Sequence, residues 1–324
     1  MPGITAQYAK GMVDDMYDYA WEAEGYDKTK TEASDLFQET KKPDGAYYQT
    51  TSIIGADKLR KTAETEGYQF RSPVEGFTVL ARPFDYTDGR AFTYDAIKDH
   101  AKIKNILKED AAQWGGSKKT TIESFYTDFF NKGGHTAGNE IFNGSVPGVI
   151  TDASGDVCYD SEPFFNLTGN TRSSKKGATY YNGETLSLST PNAETLYQLM
   201  TVTNAYDEND TKISLRPDIM YVHPSLEFTA RRILESTLIP GNNNNDKNVL
   251  NAIVRLVVLP HLTTATQWGY GCSKKGLRKI AWQDLTMDFF DDKLNRQWCS
   301  VCEMRMLGVV QNWRFWTSSN SPTA

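Results

Sequence analysis

Residues 216–268 read RPDIMYVHPSLEFTARRILESTLIPGNNNNDKNVLNAIVRLVVLPHLTTATQW and form one supersecondary unit. A short apolar run at residues 219–222 stops at Pro224, which predicts a buried strand. A helix is expected next, with Ser225 at its mouth. Leu226, Ala230, Ile233 and Leu234 fall at i, i+4, i+7 and i+8, which lays one apolar stripe along that helix. An Asn-rich loop at residues 241–245 breaks the pattern. A second apolar strand is expected at residues 253–259, closed by Pro260, and Trp268 ends the unit.

This order resembles the axial domain of tailed-phage major capsid proteins, the Hong Kong 97-type coat fold. Within that fold it is most similar to the branch that includes the Mu-like major head subunit. The resemblance rests on Pro217-Asp218 before an apolar strand and Pro224, on Leu226-Glu227, Ala230, Ile233-Leu234 and Ser236 in the helix, on the Asn-rich loop, and on the second strand and Trp268. It implies an α+β fold with an N-terminal arm, an extended-loop hairpin, a peripheral domain carrying a long spine helix, and an axial domain. The expected boundaries are 1–42 for the arm, 43–94 for the extended loop, 95–188 for the peripheral domain with 296–324 returning to it, and 189–295 for the axial domain.

Working outward, residues 1 to about 41 are polar and lack strong apolar periodicity. Such a segment buries too little apolar surface to order itself and reads as an arm that must lie on something. Residues 47–54, rich in Tyr, Thr and Ile, look extended, and residues 58–66 are charged. Residues 76–84 and 90–94 are again strand-like, with a turn expected at Asp88-Gly89. An isolated ribbon of this kind is marginal in water, and its open edges invite other chains. A helix is expected over residues 95–131, broken at Gly115-Gly116. Its second piece would be capped by Thr120 or Thr121, carry Ile122, Phe125, Tyr126, Phe129 and Phe130 on one face, and stop at Gly133-Gly134. By resemblance this is the spine helix.

Residues 139–182 are loop-rich. They hold Phe164-Phe165 and Asn182, similar to a "Phe-Phe … Asn" passage in the Mu-like branch. A helix carrying Ala193, Leu196, Tyr197, Met200 and Thr201 follows, with Thr190 or Asn192 as the expected cap and Pro191 where proline is tolerated. After Trp268 come a turn at residues 273–276, a strand through Ile280 and Trp282, a polar stretch at 288–292, and alternating strands around 296–300 and 304–315. Gly308 to Arg314 resembles the family's closing strand.

The chain has 324 residues, 39% hydrophobic and 23% charged, enough for about two domains. No apolar run approaches the roughly 18 residues of a membrane helix, and the first residues do not read as a secretory signal. The formal net charge of −6 is uneven, with residues 217–324 at +3 and the rest at −9. No block is basic enough for sequence-reading contact with nucleic acid. A neutral or acidic wall would hold packed DNA without pinning it. Cys158, Cys272, Cys299 and Cys302 are too few and scattered for a disulfide framework, and Cys299-x-x-Cys302 lacks the second pair a structural zinc needs.

The familiar catalytic and phosphate-binding motifs are missing from the sequence. His223 and His261 each abut a proline at a strand end, so an enzyme reading, a hydrolase for instance, would start there, but no third partner is evident. No catalytic residue, metal or cofactor is expected. Some coats of this fold cross-link a loop Lys to a neighbour's Asn. Lys58 and Lys61 lie in the matching region, but the Asn and acid do not align, so that activity is not carried over.

The reading is therefore a structural one: a major capsid protein that self-assembles into an icosahedral shell around the double-stranded DNA of a tailed phage. The alternative is an encapsulin-like cage holding cargo enzymes. The expected partners are the chain itself, as hexamers and pentamers, a separate scaffolding protein, a portal, a decoration protein and packaged DNA without sequence readout; no membrane is involved. The expected location is the virion, after synthesis in the host cytoplasm. The expected subunit contacts are Lys58, Arg60, Lys61, Arg82, Phe84, Asp88, Gly89 and Arg90.

Overall fold

The computed structural model describes residues 31–54, 61, 74–95, 103–134, 149–150, 158, 162–167, 172–174, 177–236, 250 and 253–322. In chain order the elements are helix α1 (Glu32–Leu36) and strands β1 (Gln38–Glu39), β2 (Tyr48–Ile54), β3 (Val74–Ala81) and β4 (Phe84–Thr93). Helix α2 (Ile103–Asn131), β5 (Val149–Ile150), β6 (Arg172–Ser173), β7 (Thr179–Tyr180), β8 (Gly183–Glu184) and helix α3 (Thr190–Gln198) follow. Last come β9 (Ile219–Val222), helix α4 (Glu227–Glu235), β10 (Arg255–Val258), β11 (Trp268–Gly271), β12 (Leu277–Asp292), β13 (Gln297–Val310) and β14 (Trp316–Ser319). The chain divides into two compact units. The first takes Met1–Thr31, Pro83–Phe125 and Ala281–Met306; the second takes Glu32–Arg82, Tyr126–Ile280 and Leu307–Ala324.

In the first unit β4 runs antiparallel to β13 without interruption, from Phe84 opposite Met306 to Thr93 opposite Gln297. Asp88-Gly89 lies inside this ladder and is not a turn. Gly89 faces Val301 in register, and the Asp88 carboxylate accepts the Trp114 indole N–H at 2.7 Å. Along β13, Trp298, Ser300, Cys302, Met304 and Met306 are all buried, the period-2 signature of a half-buried strand. Phe84 and Tyr86 set their rings against Phe125 of α2, at 5.7 and 6.1 Å. Residues 288–292 are the end of β12, not a separate polar stretch; Asp288 and Phe290 are exposed and Asp291 and Asp292 half-buried, so no alternation marked them as strand. At the β12–β13 turn the Asp292 side chain accepts the Leu294 and Asn295 N–H groups, and Arg296 takes a φ of 52°. Hydrogen bonds from Asn295 hold the Asp292 carboxyl below its usual range.

Helix α2 is unbroken across Gly115-Gly116, and Thr120 is interior to it, its hydroxyl bonded back to the Gly116 carbonyl. Two helical glycines cost about 1 kcal/mol each. Buried Trp114 just before them and the apolar face from Phe125 onward outweigh that cost. The helix ends as expected before Gly133-Gly134. There the Phe165 ring would lie 2.4 Å from any Cβ on Gly133, and the Phe165 N–H binds the Gly133 carbonyl.

The second unit is built on a five-stranded sheet in the order β10-β9-β11-β14-β8. β9 and β10 are parallel, joined through α4; β11 is antiparallel to both β9 and β14. Met220, Val222, Trp268 and Tyr270 join the core that α3 and α4 cover with Ala193, Leu196, Ala230, Ile233 and Leu234. The alternate residue Tyr221 instead meets Phe130 and Trp316, at 4.8 and 6.2 Å. Phe129 and Phe130 are fully buried, worth roughly 1.5–3 kcal/mol each. The aromatic Tyr221/Trp316 layer requires glycine on β11: a Cβ on Gly271 would stand 2.2 Å from the Trp316 ring, and one on Gly269 2.5 Å from the Tyr221 hydroxyl.

The stripe read from the sequence is borne out in α4, with Ala230, Ile233 and Leu234 buried and Leu226 packed against them. Ser225, however, does not open the helix as a cap. Residues Pro224–Leu226 form a 3-10 turn, His223 Nδ1 accepts the Ser225 N–H at 3.0 Å, and the Ser225 hydroxyl donates to the Ala265 carbonyl at 2.6 Å. The second strand is shorter than expected; Ile253 precedes it and is 41% exposed. α3 is capped by Ser189, whose hydroxyl receives the Asn192 N–H, and not by Thr190 or Asn192. The closing strands also differ: β13 ends at Val310 and a 3-10 turn at Trp313–Phe315 precedes β14. The end of the expected arm packs on this unit. Leu36 and Phe37 are buried, Phe37 lies 4.7 Å from Tyr126 and 5.4 Å from Phe129, and β1 pairs with Arg278 and Lys279 of β12.

Candidate functional site

Among the described residues no group of three or more His, Cys, Asp or Glu side chains is placed to hold a metal. Of the two histidines at which chemistry would have started, His223 is held at its ring and His261 through its main chain. His223 spends its Nδ1 on the Ser225 amide, while the His261 carbonyl receives the Asn131 side-chain amide at 2.9 Å. The Asn131 oxygen in turn accepts the Thr263 N–H at 2.9 Å, so both histidines sit in strand-end architecture. Cys299 and Cys302 are three residues apart on one strand and therefore point to opposite faces, which rules out a joint ligand pair. Burial pushes the Cys272 thiol up to about 11 and raises Cys302 and Cys299 as well, so these thiols stay protonated at neutral pH.

The eight residues expected at subunit contacts fall in three places. Lys58 and Arg60 lie outside the described residues, and Lys61 is exposed. Arg82 is exposed just after β3, whereas Phe84 is only 8% exposed and packs on Phe125. Asp88, Gly89 and Arg90 sit together in mid-strand. Arg90 stacks 5.6 Å over the Trp114 ring and donates to Gln113, while Asp88 binds the same Trp114 through its indole. A small cavity of about 120 Å³ opens beside them, lined by Tyr86, Trp114, Leu285, Cys302 and Met304 among others. Across this surface Lys118 pairs with Asp284 at 2.7 Å, Arg305 with Asp85, and Gln283 with Glu303 at 2.6 Å. The exposed pair of Arg305 with Asp85 adds little to subunit stability, while Lys118 is largely covered. Together these pairs form a charged surface suited to polar contacts.

The second unit carries features that the stripe reading passed over. Phe228 lies off the apolar stripe of α4 and is 75% exposed, beside Glu227, which bridges to Arg231 at 2.9 Å. That position was readable: an aromatic residue stood among charged neighbours on the helix's outer face. An open hollow of about 600 Å³ is lined by Tyr197, Thr201 and residues 212–216, Lys212 and Arg216 among them. In the first unit Leu294, at the β12–β13 turn, is 95% exposed. The described surface therefore offers apolar knobs, a hollow and mixed charges.

A family model described as phage capsid protein matches residues 76–316. No curated protein matches the sequence. Among solved structures, the mature capsid of bacteriophage PhiM1 aligns with a TM-score of 0.54 at 10% identity, covering 91% of this chain and 89% of that one. The capsid of Cyanophage P-SCSP1u aligns at 0.52 and 11% identity, covering 90% and 88%. The capsid of a native GTA particle aligns at 0.52 and 8% identity, covering 90% of each chain.

Proposed function

Because the chain belongs to the phage capsid protein family, as a major capsid protein of the Hong Kong 97-type fold, we propose that it builds an icosahedral shell from hexamers and pentamers around the double-stranded DNA of a tailed phage. The observation that carries this reading is the span of the family match. It runs from β3 to β14 and so takes in most of both units. The chain's role is structural, and its chemistry is assembly: many modest interfaces acting together hold a shell that no single contact would.

In this reading residues 1–42 are the arm and 43–94 the extended loop; residues 95–188 with 296–324 are the peripheral domain, and 189–295 the axial domain. The β2–β3 hairpin is the loop's stem, and a neighbouring subunit covers its open edge. Lys58, Arg60, Lys61, Arg82, Phe84, Asp88, Gly89 and Arg90 are the residues assigned to contacts with neighbours. The Mu-like branch is the assignment favoured by the order of residues 216–268. A separate scaffolding protein, a portal and a decoration protein complete the particle, which is assembled in the host cytoplasm. The chain's formal charge of −6 suits a wall that contains DNA without gripping it.

The test is to band particles containing this chain on a density gradient and treat them with nuclease. Double-stranded DNA protected inside a shell whose most abundant protein is this chain supports the proposal. Shells filled with protein cargo and free of DNA would instead make it an encapsulin-like cage.

A further inference from the structure

Phe228 and the hollow beside α3 complement one another in shape and chemistry. The hollow is lined by Tyr197, Ile213 and Leu215 together with Lys212 and Arg216. Phe228 projects from the first turn of α4 next to Glu227, whose side chain is 31% exposed. An aromatic ring is favoured over an apolar floor and beside cations, and the Glu227 carboxylate, whose Oε1 is held by Arg231, presents its other oxygen to Lys212 and Arg216. At about 600 Å³ the hollow accepts a ring together with the helical turn that carries it.

The two features do not meet within one chain: among the described residues, none of α4 lines the hollow. Phe228 follows the carboxyl end of β9, while residues 212–216 precede its amino end. The ring is accordingly 75% exposed where it stands. We propose that Phe228 of one copy inserts into the hollow of the next, with Glu227 against the Lys212 and Arg216 of that next copy. Because knob and hollow are different patches, the contact is heterologous: each copy gives one and receives one, and the chain of contacts closes into a ring when the rotation allows. The inference rests on the shell reading and adds to it the residues that join neighbours around such a ring.

The experiment places one cysteine on each side, Phe228→Cys and Ser214→Cys, both at exposed positions. Assembled particles are oxidised mildly and run on a non-reducing gel. The double variant is expected to give a ladder of covalent oligomers up to the ring size, while a mixture of the two single variants stops at dimers. Phe228→Ala, which removes no buried contact, is expected to raise the subunit concentration needed for assembly by about tenfold or more while leaving the monomer's unfolding midpoint unchanged. Particles that form from the double variant without any cross-link overturn the contact and leave the shell reading standing. So does a Phe228→Ala chain that assembles as readily as the parent. A parent chain that forms no particles overturns the shell reading itself.

Discussion

Asn182→Ala is the substitution whose cost the structure sets most clearly. Asn182 is 1% exposed. Its side-chain amide donates to the Phe164 carbonyl at 2.9 Å and to the Trp316 carbonyl at 3.0 Å, and its oxygen accepts the Asn166 N–H at 2.9 Å. One side chain therefore ties the Phe164-Phe165-Asn166 loop to β14. Alanine keeps the main-chain bonds, to the Asn166 carbonyl and from the Ser318 N–H, but strips all three side-chain bonds inside the core. A buried polar group left without its partner costs about 1–3 kcal/mol. With three partners affected and two of them carbonyls that have spare lone pairs, the loss is about 3–5 kcal/mol. That is a large share of the roughly 5–15 kcal/mol that holds a protein folded.

Asn182→Asp keeps the shape and the acceptor but points a carboxylate at two carbonyls. It should be at least as damaging at neutral pH and recover in part as the pH falls and the acid gains a proton. Asn192→Ala is the control. Its amide donates at an exposed site to the Ser187 carbonyl, so its loss costs only about 0.5–1 kcal/mol. Urea unfolding of unassembled subunits, followed by tryptophan fluorescence, measures all three. An Asn182→Ala subunit within about 1 kcal/mol of the parent refutes the reasoning.

Gly271→Ala drives a methyl to 2.2 Å from the Trp316 ring, which is fully buried and held by its indole bond to the Lys275 carbonyl. It should cost about 3 kcal/mol or more in the same assay, whereas Gly89→Ala, whose new methyl meets the Val301 side chain at 3.4 Å, should stay within about 0.5 kcal/mol of the parent. Burial and a hydrogen bond to Asp210 push the Tyr180 phenol up to about 12. The folded chain keeps that proton after an unfolded chain has lost it near pH 10, so the stabilisation is complete below pH 10 and fades as the pH rises through 12. Tyr180→Phe should flatten part of that fall in unfolding midpoints measured between about pH 9 and 12. Replacing residues 50–81 by a short linker should leave a folded subunit, by circular dichroism, that does not close shells in electron micrographs. The excision stops short of residue 84 because β4 is a strand of the first unit's sheet, and normal shells from this variant would refute the role given to the hairpin.

The β9-α4-β10 unit was legible because its core is local. Ile219 to Val222 are all buried, and the stripe at Ala230, Ile233 and Leu234 needs only helix geometry to find its face. Failures came where a distant partner overrode local chemistry. Asp88-Gly89 has the composition of a turn, but a ten-residue ladder with β13 and the Trp114 indole hold it extended. Gly115-Gly116 has the composition of a break, but α2 runs through it. The end of the arm looked unsupported because Leu36 and Phe37 are isolated in sequence; the ring partners of Phe37, Tyr126 and Phe129, lie some ninety residues on. Phe228 and the hollow were missed as a candidate site for a related reason. A surface knob and a surface hollow have no periodicity, and only the fold places each at its own end of β9.

The central claim is that this polypeptide is completed by copies of itself. Electron microscopy of the purified chain over a range of concentrations tests it most directly. Rings of five and six subunits and closed shells with icosahedral symmetry are expected. A chain that stays monomeric at every concentration, alone and with the lysate of its own phage infection, would contradict it.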